Sequence, residues 1–168
     1  MKKIIIVVII SLASFKGKSQ NLKADPGNFK IGVGVSLAVP VNNLETNNIG
    51  AGLDMLAQYG LDQNLAVTAD AGLTALFSKY DELPTTAIIP IRIGIRYFPA
   101  SALYLGAKTG LGIYTLGDII SENYAAWSLG AGYLLDKRFD VSASYDGYVK
   151  KGISFGYMSI RIGYAFGK

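Results

Sequence analysis

Between residues 29 and 166 the apolar positions recur at every second residue, and nowhere at the 3.6-residue spacing of an amphipathic helix. In the first such segment Phe29, Ile31, Val33, Val35, Leu37 and Val39 share one face, opposite Gly32, Gly34, Ser36 and Ala38. The same alternation returns over 50–59, 65–77, 89–97, 103–113, 125–133, 139–146 and 157–166. Eight strands and no helix are predicted, an all-β fold.

The two faces of these strands decide the class. One is almost wholly apolar on every strand. The other is dominated by Gly and Ser and carries widely spaced single charges: Asp54, Asp70, Arg92, Arg96, Lys108, Asp140, Asp146 and Arg161. A soluble sandwich keeps its apolar face inside and shows water a face rich in Lys, Glu and Thr. Here the polar face is too small and too glycine-rich for that, which suits a crowded interior. The apolar face suits lipid. A strand of ~10 residues rising ~3.3 Å each, tilted by about 45°, covers the ~25 Å apolar band of an outer-membrane barrel.

Connections and aromatics point the same way. Short links (61–64, 99–102 and 136–138) alternate with longer or more polar ones (40–48, 78–87, 115–123 and 148–152), as in transmembrane barrels with tight periplasmic turns. Phe29, Tyr59, Tyr97, Tyr133, Phe139, Tyr164 and Phe166 lie on the apolar face at the short-turn end, where a periplasmic aromatic girdle is expected. Phe77, Trp127 and Tyr145 form a thinner outer girdle. The predicted fold is an eight-stranded antiparallel up-and-down transmembrane β-barrel with both termini periplasmic.

The N-terminus and the charge belong together. Lys2 and Lys3 precede an apolar run over residues 4–15, then Lys16-Gly17-Lys18-Ser19. This is the pattern of a cleaved signal peptide, too short for a helix that must span ~30 Å of hydrocarbon. The expected organisation is a signal over 1–19, a periplasmic segment over 20–28 and the barrel over 29–168. The chain of 168 residues has 16 Lys and Arg against 12 Asp and Glu. The signal holds four of those bases and no acid, so the mature chain is neutral. Nucleic acid is therefore not an expected partner.

The chain has no His and no Cys, which excludes Ser-His and Cys-His catalysis, thiolate chemistry and the commonest zinc sites. Ala126-Trp-Ser128-Leu-Gly130 imitates a nucleophile elbow without a base and reads as strand. No cofactor and no enzymatic activity are expected. Asp81-Glu82, or Asp118 with Glu122, is a candidate for weak divalent-cation binding in the loops.

Eight strands leave an interior just wide enough for side chains to fill. Asp54, Asp70, Arg92, Lys108 and Arg161 each lie five residues from the girdle position of their strand, so they are expected at similar depth. The eight inward charges, four acids and four bases, would form a neutral polar plug, with Asp70 and Arg92 the expected adjacent pair. The alternatives are a narrow pore for ions or small solutes, and a soluble periplasmic barrel binding an apolar ligand.

Tyr59-Gly-Leu-Asp-Gln-Asn-Leu65 and Tyr133-Leu-Leu-Asp-Lys-Arg-Phe139 align as an internal hairpin repeat. With the girdle, the loop alternation and the closing Arg161-Ile-Gly-Tyr-Ala-Phe166, the chain resembles the small bacterial outer-membrane barrels related to OmpX and the OmpA transmembrane domain. The resemblance implies an outer-membrane location and contact with lipid and lipopolysaccharide. It also implies insertion by the barrel-assembly machinery through the C-terminal strand, and a monomer. Gly167-Lys168 after the final aromatic departs from that strand's usual ending.

Overall fold

The computed structural model describes residues 22–42, 44, 47–80, 84–117 and 120–166. The expected signal over 1–19, the loop residues Asn43, Glu45, Asp81, Glu82 and Asp118, and the Gly167-Lys168 ending lie outside these. Among the described residues the alternating segments form eight strands. They are β1 (Phe29–Asn42), β2 (Asn47–Gly60), β3 (Leu65–Ser78), β4 (Thr86–Tyr97), β5 (Leu103–Leu116), β6 (Ile120–Leu134), β7 (Phe139–Lys150) and β8 (Ile153–Phe166). Each pairs antiparallel with its sequence neighbour, and β1 closes on β8 with Ile31 opposite Phe166 and Val39 opposite Met158. Closure leaves no strand edge unpaired.

The alternation sorts outside from inside on every strand. Leu53, Ile93, Leu111 and Ile160 are each more than 60% exposed, while Ala38, Leu76 and Ile88 on the other face are fully buried. The apolar wall faces outward.

At the end where β1 begins and β8 finishes, called here the terminal end, the repeat noted in the sequence becomes a shared turn. Asp62 Oδ1 accepts from the amides of Asn64 (2.6 Å) and Leu65 (2.9 Å), and Asp136 Oδ1 accepts from those of Arg138 and Phe139 (2.6 Å each). An aspartate bonding the backbone two and three residues ahead fixes a tight reversal. Each turn is also tied to the next strand, since the carbonyls of Asn64, Ala102 and Arg138 accept from Phe98, Leu134 and Ala165 at 2.7 Å.

The distal end departs from expectation. Residues read as longer loops pair as strand, so the connections shrink to 43–46, 79–85, 117–119 and 151–152. The last is a two-residue turn with Lys151 at φ 46° and Gly152 at φ 84°, the doubly left-handed geometry that matches strand twist. The expected strict alternation of short and long links therefore does not hold. Its cause is that polar residues such as Asn123 and Glu122 still pair with Ile113 and Tyr114. Backbone pairing does not need apolar side chains beyond the wall. A 14-residue strand at this tilt is about 35 Å tall, roughly 10 Å more than the apolar band of a membrane barrel.

Candidate functional site

The eight charged residues singled out in the sequence all project inward, and they join into two chains of four. In the first, Arg92 bridges Asp70 (2.8 Å) and Asp146, and Lys108 meets the other oxygen of Asp70 (3.1 Å). In the second, Arg161 bridges Asp54 (2.7 Å) and Asp140 (3.1 Å), and Arg96 stands 3.5 Å from Asp140. Each tetrad holds two acids and two bases and is neutral. Of the five expected at similar depth, Asp54 and Arg161 fall in one group and Asp70, Arg92 and Lys108 in the other.

Barrel geometry explains the grouping. Asp70 and Arg92 are direct cross-strand neighbours. Arg161 on β8 and Asp54 on β2 both flank β1, and the guanidinium reaches its partner by crossing Gly34, where a methyl group would occupy its space. Arg92 to Asp146 and Arg96 to Asp140 run across the lumen from β4 to β7. Hydroxyls complete the shells: Ser144 and Ser159 each donate to Asp146 Oδ2 at 3.0 Å, and Tyr104 donates to Asp140 at 2.5 Å. Arg96 also donates to Gln58 (3.0 Å) and lies 4.2 Å above the Tyr104 ring. Charged hydrogen bonds of this kind hold buried ions that would otherwise be costly.

Apolar side chains lie beyond the tetrads at both ends. Distally, Tyr148 stacks on Phe155 (centroids 5.0 Å) and its hydroxyl meets that of Tyr157 (3.1 Å), with Tyr124, Leu76, Ile88 and Leu44 packed around them. At the terminal end Phe98, Tyr104 and Ala66 pack with Ala24 of the preceding segment. That segment crosses the mouth: Lys23 donates to Asn64 (2.8 Å), Gly27 to the Gly60 carbonyl (2.8 Å), and Asp25 pairs with Lys30 (2.8 Å). Between the tetrads remains a polar cavity of about 70 Å³.

Of these interior aromatics, Tyr157 falls within an alternating segment on the face of Ser159 and Arg161, whereas Tyr148 and Phe155 lie beyond the segments legible in the sequence. Tyr148 shares the inward parity of Asp146, and Phe155 that of Ser159, so extending the alternation past the apolar wall finds both. Tyr104 and Gln58 were visible on the polar face but carried no charge to mark them.

The expected terminal girdle residues Phe29, Tyr59, Tyr97, Phe139 and Phe166 are all exposed on the outer wall, and Tyr133 and Tyr164 half-buried there. Tyr164 packs between Phe139 (4.9 Å) and Phe166 (5.0 Å). Phe77 sits near the distal end of β3. Trp127 and Tyr145 touch each other (5.2 Å) nearer the middle of β6 and β7, covering Gly147 and Gly156. Their level falls mid-strand because both strands continue past it.

A family model described as outer membrane protein beta-barrel domain matches residues 6–166. A search of curated proteins finds no match. Among solved structures the barrel is similar to Ail, the attachment invasion locus protein of Yersinia pestis, at TM-score 0.62 and 15% identity, covering 84% of this chain and 100% of that one. The N-terminal β-barrel domain of Pseudomonas aeruginosa OprF aligns at TM-score 0.54 and 12% identity, covering 82% of this chain and 97% of that one. Neisserial surface protein A aligns at TM-score 0.56 and 17% identity, covering 82% of this chain and 97% of that one.

Proposed function

We propose that this chain, which belongs to the outer membrane protein β-barrel domain family, is a non-conducting barrel with a structural or surface-interaction role in the outer membrane. The observation that carries the reading is the layering of the interior, with two neutral ion-pair tetrads at mid-height and apolar side chains packed above and below. An ion entering the lumen would have to separate buried partners and displace aromatic rings. Short distal connections offer little surface to a receptor and favour the structural role. Contacts with lipid and lipopolysaccharide follow from the outward wall. Insertion through the C-terminal strand, a monomeric state and the absence of catalysis complete the reading.

Planar-bilayer recording of the refolded protein tests it. No discrete conductance steps are expected, and reproducible single-channel openings would overturn it. The polar cavity of about 70 Å³ between the tetrads is the observation that favours the narrow-pore alternative. A soluble barrel for an apolar ligand has no support from an apolar face that points outward.

We also propose that the terminal end is periplasmic. The chain has no native Cys, so single Lys151→Cys and Lys137→Cys variants can be labelled with an impermeant maleimide on intact cells. Labelling of the first alone is expected, and labelling of the second alone would reverse the orientation.

A further inference from the structure

The interior is neutral tetrad by tetrad, but the terminal mouth is not. A cavity of about 50 Å³ opens there between the 22–28 segment, the β6–β7 turn and the end of β8. Six cationic side chains line it (Lys23, Lys30, Arg96, Lys137, Arg138 and Arg161) against two carboxylates, Asp25 and Asp140, while Asp54 offsets Arg161 from behind the floor. Arg96 and Arg161 form the floor, with only 8% and 12% of their side chains exposed. Asp140 sits between them, and Asp25 is taken by Lys30. Among the described residues Lys23, Lys137 and Arg138 make no close ion pair with a carboxylate, although the charge of Lys137 is felt by Asp25. Lys23 donates to Asn64 and Arg138 to the Tyr164 hydroxyl at 3.3 Å. The carboxylate of Asp136 in the same turn is turned to its own backbone amides.

From this excess of charge over a partly enclosed floor we propose that the terminal mouth is a binding site for a phosphate group. The volume suits one small oxyanion rather than a polymer. The apolar walls of Leu22, Leu56 and Leu134 strengthen attraction by keeping water from one side. Guanidinium forks and ammonium groups together match an oxyanion that accepts from several directions. Arg138 reaches the girdle residue Tyr164, so the phosphate can come from a phospholipid headgroup or from free phosphate. The site is independent of whether the lumen conducts.

The test is an amide NMR titration of the full mature chain in maltoside micelles, which contain no phosphate. Inorganic phosphate should give saturable shifts at Lys30, Lys137 and Arg138 beyond those of chloride at equal ionic strength. A double variant, Lys137→Gln with Arg138→Gln, should weaken saturation about tenfold, while Lys150→Gln with Lys151→Gln at the distal turn leaves it unchanged. Lys137, Arg138 and Lys151 lie exposed at turns, Lys150 ends β7 paired with Glu122 at 3.2 Å, and retained heat-modifiable gel mobility reports that each variant is folded. Shifts no larger than chloride's, or equal weakening by the distal pair, would overturn the site. Short-chain phosphatidylglycerol added below its micelle concentration separates the sources. Competition with phosphate identifies a headgroup site, and phosphate saturation without competition identifies a free-anion site, each upholding phosphate recognition.

Discussion

Arg92 and Ile93 are consecutive on β4, yet the side chain of one is 9% exposed and that of the other lies on the outer wall at 67%. Arg92 is held by carboxylates from β3 and β7. Ile93 lies on an open wall beside Ala69 and Thr109. In a protein surrounded by water this order would be reversed. The inner face needs every charge matched because no solvent is there to relax it, and the outer face needs no charge because hydrocarbon is its solvent. Period two is what lets one strand meet both demands. It also means that inner and outer substitutions should fail for opposite reasons.

The largest expected effect is inside. Arg92→Met would leave Asp70 and Asp146 facing each other with only Lys108 to offset two carboxylates. A loss of about 3–5 kcal/mol is expected from an uncompensated buried charge, read from urea-dependent folding into lipid vesicles. Unchanged stability together with unchanged conductance would show that the tetrad is not a packed unit. Outside, Ile93→Arg should cost about 2–4 kcal/mol in the same assay, because the guanidinium would enter the apolar band. Ile93→Ala should be far milder, since no packed neighbours are left with a void. If Ile93→Ala instead matched Arg92→Met, the wall would be a packed interface and the outward reading of that face would fail.

The comparison also shows what could be read from sequence alone. Strand number, inward charges and outward wall were legible because alternation is local and survives any tilt. The pairing of charges was not. Asp54 meets Arg161 only because β1 and β8 close the barrel, and Arg92 meets Asp146 only across the lumen. Both depend on closure and stagger, which no single strand encodes. Equal distance from a girdle residue placed five charges at similar depth, but which of them share a tetrad follows from the shear of the closed sheet. Tyr148 and Phe155 were missed because the apolar wall stops there while polar residues such as Asn123 still form ladder.

A middle-sized effect tests the link between glycine and charge. Gly34→Ala would place a methyl group where the Arg161 guanidinium passes to Asp54. About 1–3 kcal/mol is expected for the overpacked contact. Gly106, whose nearest neighbour is a backbone oxygen at 3.8 Å, has room for the same methyl group. Gly106→Ala is therefore expected to be within about 1 kcal/mol of the parent. Equal losses at both positions would mean that glycine serves the strand's bending rather than the passage of the arginine.

The smallest effect repeats the chemistry of Arg92 and Asp70 in water. Lys30 and Asp25 are 2.8 Å apart, but the aspartate side chain is 44% exposed. The hydrogen bond from Lys30, joined by its charge and opposed by partial burial, holds the Asp25 carboxyl below its ordinary range. A carboxyl depressed on folding stabilises the fold above its unfolded value of about 3.9, and that contribution disappears as pH falls through the lower folded value. Asp25→Asn should therefore lose at most about 1 kcal/mol at pH 7, less at high salt. The difference between variant and parent should close in acid. A deficit that persists there and ignores salt would place Asp25 among the buried charges, and the mouth would then be an extension of the sealed interior rather than a solvated rim.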